Sequence, residues 1–71
     1  MNKNDVIKTI SAVLRVEVDE NTLKTDVPVW DSLKHIQIIM ELEEKYGIEI
    51  PIENVPEIDS VSALLDMINP L

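Results

Sequence analysis

The chain has 71 residues, enough for one small domain with a single core and too few to enclose a deep catalytic cavity as well. Fourteen acidic residues against six basic ones give a net charge of −8, which argues against nucleic acid, because binding a phosphate backbone calls for a basic face. The absence of cysteine excludes disulfides, thiolate metal sites and a cysteine nucleophile.

Apolar residues make up 45% of the chain, with a single glycine and no sustained alternation of period two, so an all-α fold is expected. No apolar run approaches membrane-spanning length, and the polar start, Met1 to Asp5, lacks the apolar stretch of a signal peptide. A cytoplasmic protein that does not insert into membranes is expected.

Asn4 or Asp5 can cap a first helix whose apolar residues Val6, Ile7, Ile10, Val13 and Leu14 recur at helical spacing, leaving Lys8, Ser11 and Arg15 for the outer face. After Val16 the pattern fails, and a long connection leads to Trp30 with Leu23, Val27 and Val29 as inward anchors. Loops of this length in a compact domain are uncommon and are often functional. Pro28 reinforces the non-helical approach by pushing the residue before it out of the α region.

The second helix is expected to start with Asp31 as N-cap and Ser32 at the first helical position. Its apolar set is Leu33, Ile36, Ile39, Met40 and Leu42, with Tyr46 near the end. Ile38 lies beyond that face, so it is either covered by the long loop or a partner contact. Gly47 stands where a left-handed C-cap belongs. Ile48-Glu49-Ile50 reads as an extended connector before Pro51. Residues Ile52 to Ile58 suit a short helix limited by Pro56. Asp59 or Ser60 then caps a last helix carrying Val61, Leu64, Leu65 and Ile68, stopped by Asn69-Pro70. Three main helices and one short one, packed as an up-down bundle in a single domain spanning residues 1–71, are expected.

Asp31-Ser32-Leu33 at a helix start, the continuation Leu42-Glu43-Glu44-Lys45-Tyr46-Gly47-Ile48-Glu49-Ile50-Pro51 and the chain length together resemble an acyl carrier protein. The resemblance covers essentially the whole chain. It implies a 4′-phosphopantetheine arm, taken from coenzyme A by a separate phosphopantetheinyl transferase and joined to Ser32 through a phosphodiester. A negative group at that position is favoured by the unpaired amides and dipole of the helix N-terminus. The arm supplies the thiol that the chain lacks, and an acyl group held there as a thioester can be delivered to a succession of enzymes. Asp31 then has two compatible roles, capping the helix and presenting a carboxylate to the transferase. The resemblance also turns the second helix toward partners, with Leu33, Ile36, Met40, Glu41 and Glu44 as docking candidates. Trp30 is read as a core anchor for the long loop, the alternative being a platform beside the arm.

No catalytic role is expected. His35 lies one turn from Ser32, with Asp31 adjacent, but consecutive helical positions do not face each other and no oxyanion site is visible, so a hydrolytic triad is rejected. His35 is instead expected to be solvated or weakly paired with the phosphodiester. A metal site is rejected because one histidine and scattered carboxylates have no ligand spacing.

Carrier proteins of fatty acid synthesis commonly show an acidic residue directly after Asp-Ser-Leu and another three positions on. Here those positions are Lys34 and Gln37, so the negative face begins late, at Glu41, Glu43 and Glu44. Trp30 also replaces the small residue often found before the aspartate. Reversing a charge at a docking rim changes on-rate and partner choice. A free-standing carrier for a dedicated polyketide, lipid or cell-envelope pathway is therefore expected ahead of housekeeping fatty acid synthesis, loaded by a ligase or transferase and served by enzymes with basic docking patches; a monomer is expected because a carrier that visits many enzymes gains from being one. An aminoacyl or peptidyl carrier, and an acidic docking module that is never modified, are the alternatives.

Overall fold

In a computed structural model, residues 2–68 are described. The stop expected at Asn69-Pro70 lies outside them. Three α-helices, α1 (Lys3–Leu14), α2 (Ser32–Tyr46) and α3 (Val61–Ile68), are joined by connections holding two 3-10 turns, Lys24–Asp26 and Ile52–Glu57. There is no strand among the described residues beyond one isolated bridge between Leu23 and Ser60. The long connection thus contains a turn that periodicity alone does not predict.

The cap of α1 is Asn2, two residues before Asn4 and three before Asp5, the expected candidates. Its side chain accepts from the Asn4 amide at 2.8 Å, and its carbonyl accepts from the amides of Asp5 and Val6. Asp5 is left inside the first turn, where its charge complements the helix dipole. Val6, Ile10 and Leu14 are buried, with Ile7 and Val13 packed beside them. Ser11 is not an outer residue: it is half-buried and its hydroxyl accepts from the Val18 amide at 3.2 Å, tying the long connection back to α1. Arg15 ends α1 in the left-handed region at φ 60°.

Of the three expected loop anchors only Val27 points inward. Leu23 is half exposed because its segment is held through backbone: Lys24 N–H donates to the Asp59 carbonyl at 2.8 Å and Val61 N–H to the Thr22 carbonyl at 3.0 Å. Val29 is exposed because Trp30 N–H bonds the Val27 carbonyl at 2.9 Å, closing a turn that leaves Pro28 and Val29 at its corner. Trp30 emerges from that turn into the core, as an anchor should.

The larger correction concerns α2. Leu33, Ile36 and Met40 are 66%, 45% and 61% exposed, whereas Ile38 is fully buried. The inward stripe runs through His35, Ile38, Ile39 and Leu42, with Tyr46 half-buried at its end. Positions 35, 38, 39, 42 and 46 have helical spacing, so the sequence holds a coherent buried face once a histidine is admitted to it. Gly47 then closes the helix at φ 63°, its N–H donating to the Glu43 carbonyl.

Ser60, not Asp59, caps α3: its hydroxyl accepts from the Ala63 amide at 3.0 Å. Val61, Leu64 and Ile68 are buried and Leu65 is half-buried. Helix α1 packs against both α2 and α3, and Val27, Trp30, Ile50 and Ile58 from the connections close the core. Thr9 and Lys45 link α1 to α2, the ammonium donating to the Thr9 hydroxyl at 2.9 Å.

Candidate functional site

Asp31 has extended backbone and its Oδ1 accepts from the Lys34 amide at 2.9 Å, so the chain enters α2 through a conventional carboxylate cap. Its carbonyl takes the His35 amide at 2.8 Å. Ser32 is therefore the first residue of a fifteen-residue helix, and its side chain is exposed. The amides of Ser32 and Leu33 precede the first turn's carbonyls and have no intrahelical acceptor, so a negative group on the serine oxygen would meet N–H groups and the positive end of the dipole.

Ser32 also lies on the edge of a cleft of about 510 Å³. Ile36 of α2, Val55 and Pro56 of the second 3-10 segment and Ile58 just after it supply apolar lining, and Lys24, Thr25, His35 and Asp59 complete it. A larger groove of about 630 Å³ runs between α1 and residues 15–19 but contains none of the site residues. Size does not select the site; the serine does.

His35 is not free to act on the hydroxyl. His35 is buried, and both ring nitrogens are used: Trp30 Nε1–H donates to Nδ1 at 3.0 Å, and Nε2 pairs with the Val55 carbonyl at 2.8 Å. The expectation of a solvated histidine, or one paired with a phosphodiester, is overturned by these bonds. His35 falls on the inward stripe of α2, where an imidazole is tolerated because each nitrogen has a partner. The overlooked signal is the spacing that His35 shares with Ile38, Ile39 and Leu42.

The remaining site candidates lie on the outer face. Asp31, Leu33, Ile36, Met40, Glu41 and Glu44 are all exposed. Glu43 is not part of that face, because its carboxylate accepts from the Ile50 amide at 2.8 Å and holds the connector after Gly47. Lys34 and Gln37 share a shallow groove with Arg15, Met40, Glu41 and Glu44. The outer face of α2 thus carries one cation, Lys34, in its first turn and anions, Glu41 and Glu44, further along.

Comparison with known proteins matches the profile of the phosphopantetheine attachment site to residues 4–68. The chain is similar to the acyl carrier protein of Thermosynechococcus vestitus, with 32% identity over 97% of this chain and 94% of the relative. The acyl carrier protein of Chloroherpeton thalassium is 34% identical over 90% of this chain and 80% of its own length. That of Rubrobacter xylanophilus is 32% identical over 96% and 93%.

Proposed function

This chain belongs to the acyl carrier protein family, whose prosthetic group is 4′-phosphopantetheine, and on that premise we propose that it carries acyl intermediates on an arm attached to Ser32. The observation that carries the reading is an exposed serine hydroxyl at the first position of α2, beside amides that lack acceptors and on the rim of an apolar cleft. These residues fit the group. The hydroxyl is open to a transferase, the helix end favours the phosphodiester, and the chain's lack of any thiol matches a thiol supplied from outside.

When bound, the arm supplies a terminal thiol on which an acyl group is held as a thioester. The chain's own residues orient and present it. Asp31 fixes the helix end through its bond to the Lys34 amide and keeps a carboxylate beside the serine for the phosphopantetheinyl transferase. Leu33, Ile36 and Met40 offer apolar contact to partner enzymes, and Glu41 and Glu44 attract basic docking patches. The protein itself is not a catalyst in this reading, and both nitrogens of its one histidine, His35, are engaged away from Ser32. No helix among the described residues is long and apolar enough to cross a membrane, and the cytoplasm, where coenzyme A is at hand, is the proposed location.

The finer reading is a monomeric carrier, one domain over the whole chain, serving a dedicated polyketide, lipid or cell-envelope pathway. Lys34 and Gln37 support it, since they stand at positions after Asp-Ser-Leu where carriers of fatty acid synthesis commonly offer acidic residues to basic partners. The test of attachment is intact mass after incubation with coenzyme A and a broad-specificity phosphopantetheinyl transferase. Wild type should gain one phosphopantetheine and Ser32→Ala none; a wild type that stays bare leaves only an unmodified docking module.

A further inference from the structure

The second 3-10 turn, Ile52–Glu57, forms one wall of the Ser32 cleft, yet it contributes no fully buried side chain to the core. Ile52 is 83% exposed, and only Val55 of its apolar residues packs partly against the core cluster. Its other hydrogen bonds are local, Asn54 N–H to the Pro51 carbonyl and Ile58 N–H to the Val55 carbonyl. Among the described residues, one hydrogen bond joins this turn to another part of the fold, and it comes from His35.

That bond has a fixed sense. An indole N–H can only donate, so Trp30 makes Nδ1 of His35 the bare nitrogen and leaves the proton on Nε2. Nε2–H then donates to the Val55 carbonyl at 2.8 Å. The indole and imidazole are tilted at 35° with centroids 6.1 Å apart, so the two rings support each other's orientation. A segment with little buried surface depends on such a bond more than a packed helix does.

We propose that His35 is the positioning residue of the Ser32 cleft: it clasps the Ile52–Glu57 turn to the start of α2, Trp30 sets the tautomer that makes the clasp, and release of the His35–Val55 bond widens the cleft beside the arm. The clasp's role toward an arm rests on the carrier reading; its mechanical action does not. His35 lines the cleft and holds its far wall through Val55, Trp30 acts through His35, and neither takes part in the serine chemistry.

The test is amide hydrogen exchange on the full chain, followed for wild type, His35→Leu, His35→Gln and Trp30→Phe. His35→Leu should speed exchange across residues 52–58 by about tenfold, the equivalent of one lost hydrogen bond, while α1 and the last two turns of α2 keep their protection. His35→Gln, whose amide can accept and donate, should recover much of that protection, and Trp30→Phe should loosen the same segment to a smaller degree. Unchanged exchange at 52–58, uniform acceleration throughout the chain, or no difference between the Gln and Leu variants would overturn the clasp. Should His35→Leu not fold, nitrogen-15 spectra of the wild-type imidazole decide: Nε2–H with bare Nδ1 is required, and the opposite tautomer or free averaging sinks the proposal. Intact mass after priming, measured on the same samples, reports the carrier reading separately. An unprimed wild type with a loosened His35→Leu turn overturns that reading alone, and a primed wild type with an unaltered turn overturns the clasp alone.

Discussion

Asp31 is assigned two jobs, and a pair of substitutions separates them. Asp31→Ala removes both the bond to the Lys34 amide and the carboxylate; Asp31→Asn keeps a side-chain oxygen for the 2.9 Å bond and removes only the charge. Both variants take the same unit charge from a chain of net −8, so relief of general repulsion and loss of the charge–dipole term are common to the two. Their difference isolates the cap bond, worth about 1 kcal/mol. In a 71-residue domain that separates the melting temperatures by about 4–8 °C, with Asp31→Asn the more stable. Priming should behave differently. If the transferase reads the carboxylate, both variants lose kcat/KM by on the order of tenfold, as expected for one charged hydrogen bond, measured below their melting temperatures. Equal melting temperatures would refute the cap argument, and an Asp31→Asn variant primed like wild type would refute the recognition role.

Three further outcomes follow from the placement of side chains. Ile38→Ala should cost about 2–5 kcal/mol in urea unfolding because Ile38 is fully buried, whereas Met40→Ala should stay within about 0.5 kcal/mol and weaken partner binding instead. Gly47→Ala should lose about 1 kcal/mol in the same assay; a Cβ there meets nothing within 4 Å, so the cost is the φ of +63° alone. Holo-protein should be a poor acceptor for the malonyl transferase of a fatty acid synthase, and Lys34→Glu should raise its kcat/KM; efficient loading of wild type would count against the dedicated pathway.

Much of the site could be read from local chemistry. Asp31, Ser32 and Gly47 act within a turn of themselves, and capping depends on residue type and neighbours four positions away, all of which the chain displays. Trp30 was legible as an anchor because a lone large ring in a small aliphatic core has few other places to go. The face of α2 was not legible by apolar count. Leu33, Ile36 and Met40 look like core residues but are exposed, and the buried stripe begins with a histidine whose burial depends on Trp30 five residues back and a carbonyl at Val55 twenty residues on. The same holds for Leu23 and Glu43: one is fixed through the backbone of the Asp59–Val61 segment and the other through the Ile50 amide, partners that hydropathy cannot name. At the start of α1, Asn2, Asn4 and Asp5 are all competent caps, and only the geometry selects Asn2.

The most direct trial is peptide-level mass spectrometry of the protein purified from the cells that make it, without added transferase. Phosphopantetheine should be found on the peptide containing Ser32, and hydroxylamine should strip from it an acyl group bound at sulfur. A bare Ser32 in every preparation, or the group on Ser11, Ser60 or Ser62 instead, would contradict the account.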